Sequence, residues 1–415
     1  MPEPAVRFAD ALPSSADVVV IGGGVVGCAT AFFAARAGLQ VVVLERRAAL
    51  GTLTTPASTG AFRLQFDNPD EIATVREGVE LFDAFAERTG LDGWDLGLRH
   101  AGYLFCSLTD ATLDRSRALV DRQRDWGLTD VELLTGDEAR ARWPWLSPDV
   151  RGARYRAGDG WLDVKRLTAG YAAAASNAAG IPDAVPGGGA TFLPRTRVED
   201  IRVSGDRVRG VSTSRGEIDA DAVIIAAGPF SAVLAAMAGV RIEIAPTARQ
   251  KLVIPDLQAV PADAPMTIEE ETAAHWRPAM RGCLALFTDS ETRPGAPLDP
   301  VPIEHDWAFG LLDPESDHAL ARVAPFWRDA WAGGAPSVHW FLQAGQYEYT
   351  PDRRPYLGPA GPTGLHLNAG YSGHGIMAGA GGSRLVVDLL VGRADAAQNP
   401  YRPDRRFDAR EHDIL

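Results

Sequence analysis

The sequence predicts a two-domain α/β protein, and three features of its 415 residues carry that prediction. Near its start, a β-branched strand, a glycine-rich turn and an alanine-rich helix follow one another. Near the other end, a second glycine-rich turn feeds a second helix. Between them, residues 246–338 mix strand-like pieces with Pro/Gly/acid loops and hold Trp276, Trp307, Trp327 and Trp331, the make-up of a separate aromatic-rich domain. With 46% apolar and 23% charged residues and a mean hydropathy of -0.09, the chain has ordinary soluble composition. That excludes a disordered, collagen-like or fibrous protein and leaves material for two to three cores.

The first element is the strand Val18-Val19-Val20-Ile21, unbroken by polar residues as a strand buried on both faces is. Gly22, Gly24 and Gly27 follow in GxGxxG spacing, Cys28 to Ala37 reads as a helix closed by Gly38, and Val41 to Leu44 is a second strand ending at Glu45. Each glycine has a task. Gly22 permits the tight turn, Gly24 lets backbone approach a pyrophosphate, and Gly27 allows the helix to sit close on the strand. The helix N-terminus offers unpaired N–H groups and partial positive charge to the phosphates. Glu45, eighteen positions after Gly27, is placed to accept the ribose hydroxyls. The unit predicts a bound dinucleotide without separating FAD from NAD.

Residues 68–89 read as an amphipathic helix entered at Pro69, residues 97–107 as a strand and residues 110–126 as a polar helix. A short helix over 137–143 stops at Pro144, and an alanine-rich helix covers 161–179. After a flexible loop over 182–189, Val198–Val203, Arg207–Ser212 and Ala222–Ala226 form three strands separated by Ser-Gly-Asp and Arg-Gly turns, the last leading into Ala227-Gly228-Pro229. Near the far end, Leu365–Ala369 is a strand, Gly370 to Gly375 a loop and Ile376–Val391 a helix whose N-terminus must face a negatively polarised group.

Charge and sulfur narrow the function. Forty-one basic against fifty-four acidic residues give a net charge of -13, which argues against nucleic-acid partners. Cys28, Cys106 and Cys283 are far apart and no HExxH or CxxC spacing occurs, so neither a disulfide framework nor a metal site is expected. Residues 1–16 lack the basic and apolar regions of a signal peptide, and no apolar run reaches membrane-spanning length. A cytoplasmic protein without a membrane partner is the expectation.

Three segments, VVVIGGGVVGCATAFFAARAG…VVVLE, DAVIIAAGPFS and YEYTPDRRPYLGP…LHLNAGYSGHGIM, resemble the D-amino-acid oxidase/sarcosine oxidase (glycine oxidase-like) family of FAD-dependent amine oxidoreductases. The resemblance spans nearly the whole chain. It implies a Rossmann-like FAD domain assembled discontinuously from residues 1–90, 150–235 and 340–415, and a substrate domain from 91–149 and 236–339 built on a mixed, largely antiparallel sheet. It assigns Gly22, Gly24 and Gly27 to the pyrophosphate, Glu45 with Arg46 to the adenosine ribose end, and Ser58, Thr59 and Gly60 to the chain passing the flavin. Val198 is assigned to the adenine, and Ala227 and Gly228 to the cofactor's flank. Gly373, His374, Gly375, Ile376 and Met377 form the turn whose N–H groups face the flavin N1–C2=O edge, where charge develops on reduction.

The departures are informative too. Covalent members attach flavin through a cysteine where this chain has Gly345, and no histidine stands in 52–59, so non-covalent FAD is implied. The carboxylate-binding Arg and Lys of monomeric sarcosine oxidases correspond to Phe66 and Met377, and their oxygen-activating Lys to Ala285. Catalytic candidates are then Arg63, which matches a flavin-proximal basic position, His374, Lys251 (one of two lysines, with Lys165) and His275. Tyr347, Tyr349 and Arg354 are substrate-facing candidates. The implied reaction oxidises the C–N bond of an amine or of a secondary, N-methyl, D- or cyclic amino acid to an imine. Oxygen then takes the electrons and yields hydrogen peroxide. A dehydrogenase, alone or within a homo- or hetero-oligomer, or a tailoring oxidase of a biosynthetic intermediate, stays open beside it.

Overall fold

The computed structural model describes residues 5–407 except 289–291 and 335–338, so the end of the tryptophan-rich stretch and the tail of the segment 340–415 lie outside the described residues. Among the described residues the strands form two eight-stranded sheets and one short two-stranded pair. In the first sheet, Ser15–Ile21 pairs in parallel with Gln40–Leu44 on one side and with Gly216–Ile225 on the other. Gly189–Leu193 and Leu365–Ala369 extend it in parallel, and Tyr356–Pro359 closes an edge antiparallel. Val18, Val19 and Val20 have no exposed surface, as an unbroken apolar run in a parallel sheet requires.

Helices Val25–Arg36, Val164–Ser176, Gly375–Leu390 and Pro69–Asp83 pack together on one face over a core that includes Phe32, Phe62, Phe82 and Tyr171. The last begins as its sequence dictates: Asn68 caps it by accepting from Glu71 N–H at 2.8 Å, with Pro69 in the first turn. A hairpin of Val198–Ser204 and Arg207–Thr213 folds over the other face.

The second sheet runs, in spatial order, Phe341–Tyr349, Ala245–Ile254, Gly282–Leu286, His275–Ala279, Met266–Glu269, Tyr103–Ser107, Gly152–Arg156 and Glu132–Thr135. Only the pairing of Met266–Glu269 with Tyr103–Ser107 is parallel, so the sheet is mixed and largely antiparallel. One face is sealed by Trp276 and Trp327, each 1% exposed, with helix Phe326–Ala332. The tryptophans here are packing residues. The chain passes between the sheets a few residues from the boundaries read at 150 and 340, because Gly152–Arg156 and Phe341–Tyr349 both hydrogen-bond into the second sheet. Trp161, read as the start of a helix, instead pairs with Ala61 in the two-stranded bridge. The first sheet's strand ends and the uncovered face of the second sheet enclose a cavity. No helix among the described residues is long and apolar enough to cross a membrane.

Candidate functional site

The turn after the first strand is shaped by close backbone approach. Gly22 has φ +116°, and a Cβ there would overlap the Ala226 carbonyl; one on Gly27 would overlap the Gly22 carbonyl. Glu45 fixes the turn from the neighbouring strand, accepting from Gly23 N–H at 2.9 Å through Oε2 and from Arg47 N–H at 2.7 Å through Oε1. Thr55 Oγ1 accepts from Val25 N–H at 3.2 Å, while Gly24, the N-cap, supplies no side chain to cap the helix. The helix start is thus left open toward the cavity for an anion. Beside Glu45, the Arg46 guanidinium stacks 3.7 Å over the Phe230 ring and pairs with Asp299 at 2.7 Å; Arg47 pairs with the same carboxylate.

The second turn starts at Gly370. Gly373, at φ +98°, lies against Tyr347: a Cβ there would sit 2.7 Å from the ring. His374 N–H donates to Tyr371 C=O, and the helix Gly375–Leu390 begins directly after it. Both turns open onto one cavity of about 340 Å³, whose wall includes Gly22, Gly24, Glu45 and Val198 from the first βαβ unit and its neighbours and Gly373, Gly375 and Ile376 from the second turn. Two helix N-termini opening onto a single, largely apolar cavity fit an FAD, whose diphosphate and flavin pyrimidine rim are its two negatively polarised parts.

The segment between the turns is held from the second sheet. Lys251 Nζ donates to Pro56 C=O and Ser58 C=O, both at 2.7 Å, and Arg277 donates to Thr59 C=O through Nε at 2.8 Å and Nη2 at 2.6 Å. Burial, with Arg277 and Lys165 adding repulsion, lowers the Lys251 ammonium to about 7; burial also lowers Arg277 to about 10. Cross-strand partners and alternate residues of a strand share a face, so the pairs Val253–Leu284, Leu284–Arg277 and Leu286–His275 put Lys251, Arg277 and His275 on the face that Leu286 presents to the cavity. Ala285 faces the tryptophan core instead. At Gly345 the second sheet lies close against the held segment, since a Cβ would lie 2.9 Å from Ala57 Cβ.

The cavity wall gathers Gly22, Gly24, Glu45, Arg46, Ser58, Val198, Ala227, Gly228, Gly373, Gly375, Ile376 and Tyr347. Others stand behind it. Gly27 packs the helix on the turn, and Thr59 and Gly60 continue the held segment. Met377 packs against helix Pro69–Asp83, the Gly78 Cα lying where a side chain would strike its carbonyl. His374 faces Glu71 at 3.7 Å and the Phe66 ring. Arg354 points to Asp70 at 3.9 Å and does not line the cavity. Arg63, 3% exposed, is enclosed by the rings of Phe66, Tyr103 and Phe105. His275 is buried with Nδ1 2.7 Å from Ala273 O, and burial lowers it to about 4, so the imidazole is neutral at physiological pH.

Two residues on the wall were not singled out from sequence. Arg249, 9% exposed, donates through Nη1 to Ala248 C=O and through Nη2 to the Tyr349 hydroxyl at 3.2 Å, while its Nε has no partner among the described residues. Glu348 lies beside Tyr371. The signal for both was a charged side chain inside a strand, Glu348 alone in Phe341–Tyr349 and Arg249 together with Lys251 in Ala245–Ile254.

Residues 17–389 match the family model described as FAD dependent oxidoreductase. The chain is 28% identical to the glycine oxidase of Pseudomonas aeruginosa, covering 94% of this chain and 99% of that one. It is 27% identical to a D-amino acid dehydrogenase of Cereibacter sphaeroides, with 94% and 96% covered. The solved glycine oxidase of Geobacillus kaustophilus superposes with a TM-score of 0.78 at 25% identity, over 95% of this chain and 100% of that one.

Proposed function

Because the chain belongs to the FAD-dependent oxidoreductase family and is an enzyme acting on amino-acid or amine C–N bonds, we propose that its substrate is an α-amino acid whose carboxylate is received by Arg249. The observation that carries this reading is the unspent Nε of a buried guanidinium on the cavity wall, beside Tyr347 and Tyr349. An arginine in that state suits a carboxylate, which takes two parallel N–H donors, and the Tyr349 hydroxyl already fixes its plane. Arg249 thereby takes over the task for which this chain has only Phe66 and Met377 at the family's usual positions.

Bound flavin supplies the acceptor for two electrons. The protein's own residues bind, orient and exclude water. Arg249 fixes one end of the substrate, and Tyr347, wedged against Gly373, forms the wall between substrate and cofactor turn. Lys251 and Arg277 hold 56–59 in place. Across its Cα–N bond the substrate loses two electrons and two protons to become an imine, which water hydrolyses to a carbonyl compound and an amine. Molecular oxygen takes up the two electrons and two protons as hydrogen peroxide, in keeping with the full-length similarity to a glycine oxidase. The similarity to a D-amino acid dehydrogenase favours a second acceptor in oxygen's place. The cofactor is held without a covalent bond, supported by Gly345, whose place has no room for a linking side chain.

The test is anaerobic mixing with a panel of D-, N-methyl, cyclic and unsubstituted amino acids and their decarboxylated amines, followed by admission of air. Flavin bleaching by amino acids and not by the matching amines supports the reading; equal bleaching by both refutes it. Return of colour with peroxide formation identifies oxygen as the acceptor, and persistent bleaching identifies a dehydrogenase.

A further inference from the structure

Besides Glu45, the cavity wall carries one other carboxyl among the described residues, that of Glu348. It lies in strand Phe341–Tyr349 opposite Pro246, one residue past Tyr347, so it leaves the strand on the other side, toward the C-terminal glycine turn. Oε1 accepts from Tyr371 N–H at 3.3 Å, and the Gly370 N–H adds to that hold. Oε2 is closed off from water and has no partner among the described residues. It lies 3.9 Å from where a Cβ on Gly228 would be. One carboxyl thus reaches from the turn at Gly370–Tyr371 to the turn at Ala227–Gly228.

Burial pushes it up to about 7 against the pull of the two N–H groups. A carboxyl oxygen kept buried without a donor is costly, which implies that the donor comes with the ligand. We propose that Glu348 is a cofactor-positioning residue whose Oε2 accepts a hydrogen bond from a hydroxyl of the FAD ribityl chain. The diphosphate belongs at the helix start after Gly24 and the pyrimidine rim at the helix start after His374. What joins them in FAD is a polyol, and its O–H groups are the donors available midway. The inference rests on the chain's being a flavoprotein and is independent of Arg249 and of the amino-acid substrate.

The test titrates the apo-protein with FAD and with its 2′-, 3′- and 4′-deoxyribityl analogues, following flavin fluorescence. The wild type is expected to bind at least one analogue about 10- to 100-fold more weakly than FAD. Glu348→Ala should bind FAD as weakly as the wild type binds that analogue, with no further loss when the hydroxyl is removed. The proposal is overturned if the wild type binds all analogues as it binds FAD, or if the alanine variant discriminates as the wild type does. Should Glu348→Ala fail to fold by circular dichroism, Glu348→Met, which fills the volume without accepting a hydrogen bond, takes its place in the comparison. Only cofactor binding is read, so a silent amino-acid panel leaves this test intact.

Discussion

Replacing Lys251 by methionine keeps the length of the side chain and removes both donors. The wild-type ammonium spends two 2.7 Å hydrogen bonds on the carbonyls of Pro56 and Ser58. At about 1–2 kcal/mol each, including the cost of leaving desolvated carbonyls behind, Lys251→Met should destabilise the protein by about 2–4 kcal/mol. The fall in Tm should be several degrees, and FAD affinity should drop because Ser58 lines the cavity. The pH dependence sharpens this. Lys251 is depressed from 10.5 to about 7, so the folded state binds fewer protons than the unfolded one between those values. Wild-type stability therefore declines as pH falls from about 10.5 to about 7 and is flat below. The methionine does not titrate, so the deficit of Lys251→Met should be larger near pH 9.5 than near pH 6.5 when followed by thermal unfolding. An equal deficit at both pH values, or unchanged Tm and FAD affinity, refutes the clamp.

Arg249→Gln should raise KM for the amino-acid substrate by about 10- to 100-fold, the worth of a charge-assisted pair; steady-state kinetics decide it, and an unchanged KM refutes the assignment. Gly22→Ala puts a Cβ into the Ala226 carbonyl at a φ of +116° and should purify with little flavin, read from the flavin-to-protein absorbance ratio. Gly345→Ala, which must displace Ala57, should cost about 1–3 kcal/mol by urea unfolding, and acid precipitation of the wild type should leave the flavin in the supernatant. Arg405→Ala breaks the buried two-point pair with Asp352, 2.8 Å on each arm, and should destabilise by about 3–5 kcal/mol in the same assay.

The first glycine-rich turn was legible because everything that shapes it is local: the strand, three glycines and Glu45 lie within one βαβ unit, and Glu45 returns to Gly23 across 22 residues. The strands Val198–Ser204 and Arg207–Thr213 were legible for the same reason, their hairpin being closed by its own turn, whereas the third strand begins at Gly216 and not at Ala222, because 216–219 pair back onto Arg207–Thr213. What eluded the sequence depends on distant partners. Lys251 and Arg277 hold carbonyls some 190–220 positions away, and no spacing rule reaches that far. The second sheet's borders were displaced because Gly152–Arg156 is recruited by Tyr103–Ser107, and Phe341–Tyr349 by Ala245–Ile254. Neither strand has local features to say which sheet claims it. Arg249 and Glu348 were visible as charged residues in strands, but their meaning lies in unspent polar atoms that only packing defines.

The cavity takes its wall from three distant stretches, 21–58, 196–250 with Leu286, and 345–376. During synthesis the βαβ turn emerges early, yet the floor and far end arrive only with the last strands and the helix after Gly375. A ribosome-bound fragment therefore offers a phosphate grip with nothing to enclose the rest. Capture of the yellow prosthetic group becomes a late event that reports a finished chain, and cells starved of riboflavin should accumulate this polypeptide as a colourless, protease-sensitive precursor.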